Sequence, residues 1–161
     1  MTFWKKVTKA AVTAGTAEGG TTLNAFDNAL LVAGIGNINL VRISSIVPPE
    51  VDIVPLPLIK PGSIVPTAYA AITSDVPNET VTAAVGYALP VDRTKAGVIM
   101  EFHERGDRAS AEQAIRAMLA EAFQVRGEEI REMKVIAVDH RVEKVGCALA
   151  AVTLLSEDDI L

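Results

Sequence analysis

Cysteine is almost absent: Cys147 stands alone in a chain of 161 residues. An intramolecular disulfide is thereby excluded, and the apolar run GCALAAVTLL around the thiol predicts a small buried hydrophobe. A chain without disulfides fits a reducing cytoplasm, the expected location. Aromatic residues are nearly as scarce, at 4% of a chain that is 50% hydrophobic. The core must therefore be built from Val, Ile, Leu and Ala, a composition that suits stacked sheets or a sheet packed on helices. Basic clusters are missing too. Lys and Arg number 15 against 20 Asp and Glu, for a net charge of −5, which argues against nucleic-acid or anionic-membrane partners. Two His and one Cys lie scattered, so no metal-ligand spacing exists and no metal is expected. No apolar run approaches the length of a membrane span. The opening MTFWKKVTKAAVTAGTAEGG has the lysines of a secretory leader, but Lys9 and several threonines interrupt any apolar stretch. A soluble protein is expected.

What is present reads as one domain, residues 1–161. KKVTKAAVTAG (5–15) predicts a strand, and Thr22 a cap for a helix carrying Leu23, Phe26 and Leu30 at helical spacing. NINLVRISSIV is β-patterned up to Pro48-Pro49, where a ladder donor is lost. The five prolines of PPEVDIVPLPLIKPG predict a loop along the rim. Strands follow over 63–75, 79–91 and 96–104, separated by the turns DVPNE and VDRTK. Ser110 with Gln113 suggests a capping box, opening a helix whose apolar face is Ile115, Met118, Leu119, Ala122 and Phe123, with Gly127 as its stop. REMKVIAVDH and CALAAVTLLS predict two closing strands, and EDDIL a frayed acidic tail. Strands cluster rather than alternating with helices. The expected class is therefore α+β, a layered αββα-like sandwich of mainly antiparallel sheets covered by helices.

Ser44 and Ser45 interrupt the apolar strand just before the double proline. Alternation puts Ser45 on one face with Val41, Ile43 and Val47, which suggests burial. One reading is local: both hydroxyls satisfy backbone groups where the strand frays. The other is chemical. A serine hydroxyl can attack the carbonyl of the residue before it and convert that peptide bond to an ester. Elimination across Cα–Cβ then leaves dehydroalanine at the new chain start, and hydrolysis gives a pyruvoyl group. Spacing alone leaves both readings open.

The stretch LNAFDNALLVAGIGNINLVRISSIVPPE, together with IVPLP, VPTAYAAITSDVP and VEKVGCALAAV, resembles the pyruvoyl-dependent arginine decarboxylases from about Ala14 to Leu154. The motif GIGN-x-NL-x-RISSI-x-PPE is far more specific than a lone Ser-Ser. The resemblance implies cleavage between Ser44 and Ser45, giving a β chain of residues 1–44 and an α chain of residues 45–161 that begins with a pyruvoyl group. No pyridoxal phosphate is then needed. The implied reaction converts L-arginine to agmatine and CO2 through a Schiff base between that group and the substrate amine. Ornithine or lysine is the alternative substrate, and an uncleaved, non-catalytic assembly subunit the alternative role.

By the same resemblance, Glu101 in GVIMEFHE is the proton donor. The residues agree: Val98, Ile99, Met100 and Phe102 surround it, and a carboxyl in apolar surroundings has a raised pKa. An ion pair with Arg or Lys is the competing reading of Glu101. Asn39 matches an asparagine used at the processing site. Asp27 matches the carboxylate that receives the guanidinium, for which a bidentate pair is physically suited. Leu23, Ile38 and Ser44 complete the implied substrate pocket. Asn28 departs from the family, where a small residue is expected. His103 shares Glu101's side of its strand and reads as a rim histidine. GIGN follows a helix rather than a strand, so it is no dinucleotide loop. Asn39 and Ser45 would stand about 20 Å apart on a regular strand. Sites shared between neighbouring subunits follow, which fits the homotrimer of cleaved protomers that the family implies, with pairing of trimers a further option.

Overall fold

A computed structural model describes residues 5–161, so the first four residues of the leader-like opening lie outside the described residues. Nine strands and two helices follow one another: β1 (Lys9–Glu18), α1 (Thr22–Val32), β2 (Asn39–Arg42), β3 (Ile46–Val47), β4 (Asp52–Ile53), β5 (Ile64–Ser74), β6 (Thr80–Pro90), β7 (Gly97–Arg105), α2 (Arg108–Arg126), β8 (Ile130–Arg141) and β9 (Gly146–Leu155). One sheet has the order β2-β5-β9-β1-β4 and the other β3-β7-β6-β8. The long pairings are antiparallel; β2 on β5 and β4 on β1 are parallel.

Alternation along β9 shows how the layers form. Ala148, Ala150, Val152 and Leu154 face the second sheet, where Val81, Ala83, Val85 and Ile99 meet them. Cys147, Leu149, Ala151 and Leu155 face α1 through Ala25, Ala29 and Leu30. A strand covered on both faces has no polar side to show, which is why GCALAAVTLL is buried throughout. Helix α2 closes the other outer face with Ile115, Leu119 and Phe123 against Ala84 and Ala88. The order helix, sheet, sheet, helix is the αββα sandwich expected. Alanine keeps the layers close, and Gly15 lets α1 lie closer still: a Cβ there would stand 2.6 Å from the Ala29 carbonyl oxygen.

Several local expectations are corrected. Thr21, not Thr22, caps α1, its hydroxyl accepting from the Asn24 N–H at 3.1 Å. Helix α2 begins earlier than Ser110 suggests: Asp107 is its cap, and Ser110 donates its N–H to that carboxylate at 2.8 Å. Gly127 ends the helix in the left-handed conformation, at φ 68°. The proline-rich loop contributes β4, which pairs with β1 at Lys9 and Ala10. The acidic tail is folded rather than frayed. Asp159 is buried, accepts from the Ser156 N–H and hydroxyl at 3.0 Å each, and receives Lys5 Nζ at 2.8 Å. A charged end can be internal when every oxygen finds a donor. Among the described residues, no helix is long and apolar enough to cross a membrane.

Candidate active site at the crossing between the sheets

The predicted continuous strand through the serines does not form. β2 ends at Arg42, and Ile43 makes one last bond to the first sheet, its N–H donating to Thr67 O at 3.2 Å. The chain then crosses over. Ile99 of β7 donates its N–H to Ser45 O at 2.7 Å, and β3 continues in the second sheet with Ile46 beside Val98 and Val47 beside Gly97. Ser44 thus lies between an anchor in each sheet, and the Ser44–Ser45 peptide is the step from one to the other. This also corrects the burial read from alternation: Ser44 is exposed and Ser45 half-buried. Alternation holds along one strand and cannot be carried across a change of sheet.

β7 carries Glu101 on the same side as Ile99, whose side chain is fully buried between the sheets. β3 is only two residues long, so the Glu101 stretch has no ladder partner on that side. The carboxylate sits in a depression lined by Arg42, Tyr69, Ala70, Ala71, Phe102 and His103. Its Oε1 is 3.5 Å from Arg42 Nη1. Its Oε2 is buried without a hydrogen-bond partner among the described residues. Burial raises the pKa of this carboxyl above the usual glutamate value, and the Arg42 charge opposes that rise without cancelling it. Both sequence readings of Glu101 are therefore present at once, an ion pair on one oxygen and a desolvated acid on the other. His103 stands exposed at the rim.

The remaining predicted site residues lie elsewhere on the chain. Asn39 opens β2, exposed, its amide 3.4 Å from Gly62 O. Asp27 and Leu23 are exposed on α1, Leu23 to 74%. Ile38 packs partly buried against the α1 side of the first sheet. None of these four lines the depression around Glu101. Asn28, the departure from the family pattern, donates its amide to Glu18 O at 3.0 Å and so ties α1 to β1. Sequence reasoning missed Arg42 and Tyr69. The guanidinium carbon lies 4.1 Å over the Tyr69 ring centre. A lone arginine in the apolar run NLVRISSIV was the available signal.

Comparison with known proteins establishes the family. The family model for pyruvoyl-dependent arginine decarboxylase matches residues 9–159. A protein from Methanocaldococcus jannaschii named pyruvoyl-dependent arginine decarboxylase is 51% identical over 94% of this chain and 92% of its own. One of the same name from Pyrococcus abyssi is 44% identical over 94% of this chain and 97% of its own. Among solved structures, a pyruvoyl-dependent histidine decarboxylase shares the fold with a TM-score of 0.53, at 15% identity over 62% of this chain and 54% of that one. With nearly the whole length matched at such identity, this chain belongs to the pyruvoyl-dependent arginine decarboxylase family.

Proposed function

We propose that this chain cleaves itself between Ser44 and Ser45, carries a pyruvoyl group derived from Ser45, and decarboxylates L-arginine to agmatine and CO2. One observation carries the residue assignment: the Ser-Ser peptide is the step between two sheets, tied down on either side, with Glu101 two residues along β7 from the anchor at Ile99. Family membership supports arginine over ornithine or lysine, since the relatives reported above are named for arginine.

In processing, Ser45 Oγ attacks the Ser44 carbonyl carbon, and the C–N bond between the residues becomes an ester to Oγ. Loss of the Ser45 α-proton with departure of the Ser44 carboxylate, then addition of water and release of ammonia, leaves the pyruvoyl group. The bond from Ile99 holds the Ser45 carbonyl through these steps, because it involves neither the carbon attacked nor the nitrogen released. That anchor, the neighbouring acid and the depression beside it are what fit the group to this place. Once formed, the group supplies a carbonyl for the substrate amine and an electron sink for the charge left by CO2. Glu101 holds a proton at Oε2, which has no hydrogen-bond partner among the described residues, and delivers it to the carbon that has lost CO2.

Asp27 and Asn39 serve this reaction from a neighbouring subunit. They fall outside the Glu101 depression of their own chain, and exposed apolar residues stand next in the chain to Arg42 and Ser45, Val41 and Ile46. Val41 and Ile64 also line one depression with Val7, Pro66 and Leu154, a contiguous apolar surface that suits association of copies into a trimer. The lone buried Cys147 suits a reducing cytoplasm. A substrate comparison tests the specificity: agmatine should form from arginine, with ornithine and lysine turned over at least about tenfold more slowly, the discrimination expected of a fork-shaped donor read by a carboxylate. Equal rates with lysine would remove Asp27 from its role.

A further inference from the structure

Glu101 is held from one side only. Arg42 Nη1 approaches Oε1 at 3.5 Å, and the carbon of the same guanidinium lies over Tyr69, 4.1 Å from the ring centre. Tyr69 is itself backed by Phe26 of α1, with ring centroids 6.3 Å apart. A guanidinium stacked on a ring loses few further rotamers when it makes an ion pair, so the contact is preorganised rather than a chance meeting of two long side chains. Oε2 has no such partner among the described residues and is buried.

Other charges do not explain the asymmetry. Arg42 from β2, Tyr69 from β5 and His103 from β7 are the charged or titratable side chains around Glu101 in the depression. Arg105, also on the Glu101 side of β7, is engaged with Glu79 at 2.9 Å. β6 sets Val85 opposite Glu101. Arg42 is thus the one cation in contact with this carboxylate among the described residues.

We propose that Arg42 is a positioning residue for Glu101: by facing Oε1 it leaves Oε2 as the oxygen that carries the proton, and it does so from across the cleavage point. Arg42 precedes the Ser44–Ser45 bond and Glu101 follows it, so after processing the clamp joins the two fragments without a covalent link. The inference rests on the proposed function above for the role of Glu101. It is consistent with the direction in which the Arg42 charge moves the Glu101 carboxyl, opposite to burial. A neutral acid whose carbonyl oxygen faces a guanidinium can present its O–H in one direction only, and that is what delivery to a single carbon requires.

The test uses two readouts. In uncleaved full-length Ser45→Ala protein, the Glu101 carboxyl is followed by carbon NMR against pH and assigned by its loss in Glu101→Gln. Adding Arg42→Gln should move its titration to higher pH, and Arg42→Lys should bring it back towards the starting value because the charge returns. In the self-processed enzyme, Arg42→Gln should lower kcat by about tenfold with KM changed less than about twofold, and the alkaline limb of the kcat profile should move upward. Arg42→Lys should restore the limb but not the full kcat, lacking the stacked fork. An unmoved titration in Arg42→Gln would overturn the inference. So would a raised KM with an unmoved profile, since Arg42 would then hold substrate. If wild-type protein neither cleaves nor makes agmatine, the functional reading fails instead, and the NMR comparison still decides the clamp.

Discussion

At the scale of single residues, Glu101 has two oxygens in different surroundings, one beside Arg42 and one buried alone. Burial, the larger cause, lifts its pKa above the ordinary glutamate value of 4.5, with Arg42 pulling the other way. The sign of the pH dependence follows. The proton to be donated is present below the raised pKa and lost as pH rises through it, so kcat should hold on the acid side and fall on the alkaline side. Glu101→Gln keeps the shape but has no proton to give. It should lower kcat by about 10² to 10⁴ while cleavage at Ser44–Ser45 still proceeds; steady-state rates and a denaturing gel check both halves. Normal turnover in Glu101→Gln would hand the proton to another group. The raised pKa of Glu101 was legible in the sequence, because four apolar neighbours surround one carboxylate; its role as proton donor came from the resemblance alone. Its partner was not legible, because Arg42 and Glu101 sit on strands of different sheets, and no local period reports a contact made across that gap.

At the scale of elements, the strongest patterns were read correctly and their ends less so. Ile115, Leu119, Ala122 and Phe123 are the buried stripe of α2, as the spacing predicted. The cap moved from Ser110 to Asp107 because the aspartate accepts the Ser110 N–H, so the helix is already under way where the serine stands. The break at 43–45 could not be read, since β3 is two residues long and exists only by pairing with a strand some fifty residues away. One clasp emerged only in three dimensions. Glu18, at the end of β1, accepts the N–H groups of Glu143, Lys144 and Val145 on Oε1 at 2.7–3.2 Å and meets His140 Nε2 at 2.5 Å on Oε2. It closes the turn between β8 and β9. Partial burial alone would raise its pKa, but the Lys144 N–H, His140 and the Glu143 N–H together bring it below the usual 4.5. A lowered carboxyl stabilises the fold above the unfolded value, and that stability is lost as pH falls through the folded one. Glu18→Gln should therefore melt several degrees below wild type at pH 7, with the gap closing on acidification. A gap that stays constant down to pH 3 would mean the charge is not what holds the turn.

For the whole molecule, the layered class was legible from composition and from strands that cluster, while the order of strands in each sheet was not. The sandwich sets the Ser44–Ser45 peptide, the proposed cleavage point, where one chain segment leaves one sheet for the other, and it sets Asp27 and Asn39 away from that chain's own Glu101 depression. The proposed sharing of sites between subunits predicts complementation. Processed Asn39→Ala and Glu101→Gln proteins, each strongly impaired alone, should regain part of wild-type activity when dissociated and reassembled together, because some sites then receive an intact set. No recovery in verified mixed assemblies would confine each site to one chain.

The central claim is that Ser45 becomes the reactive group, and a denaturing intact-mass spectrum of freshly purified protein tests it most directly. The account predicts two species dividing between Ser44 and Ser45, the larger lighter than its serine form by one ammonia. A single full-length mass that persists through prolonged incubation would contradict it.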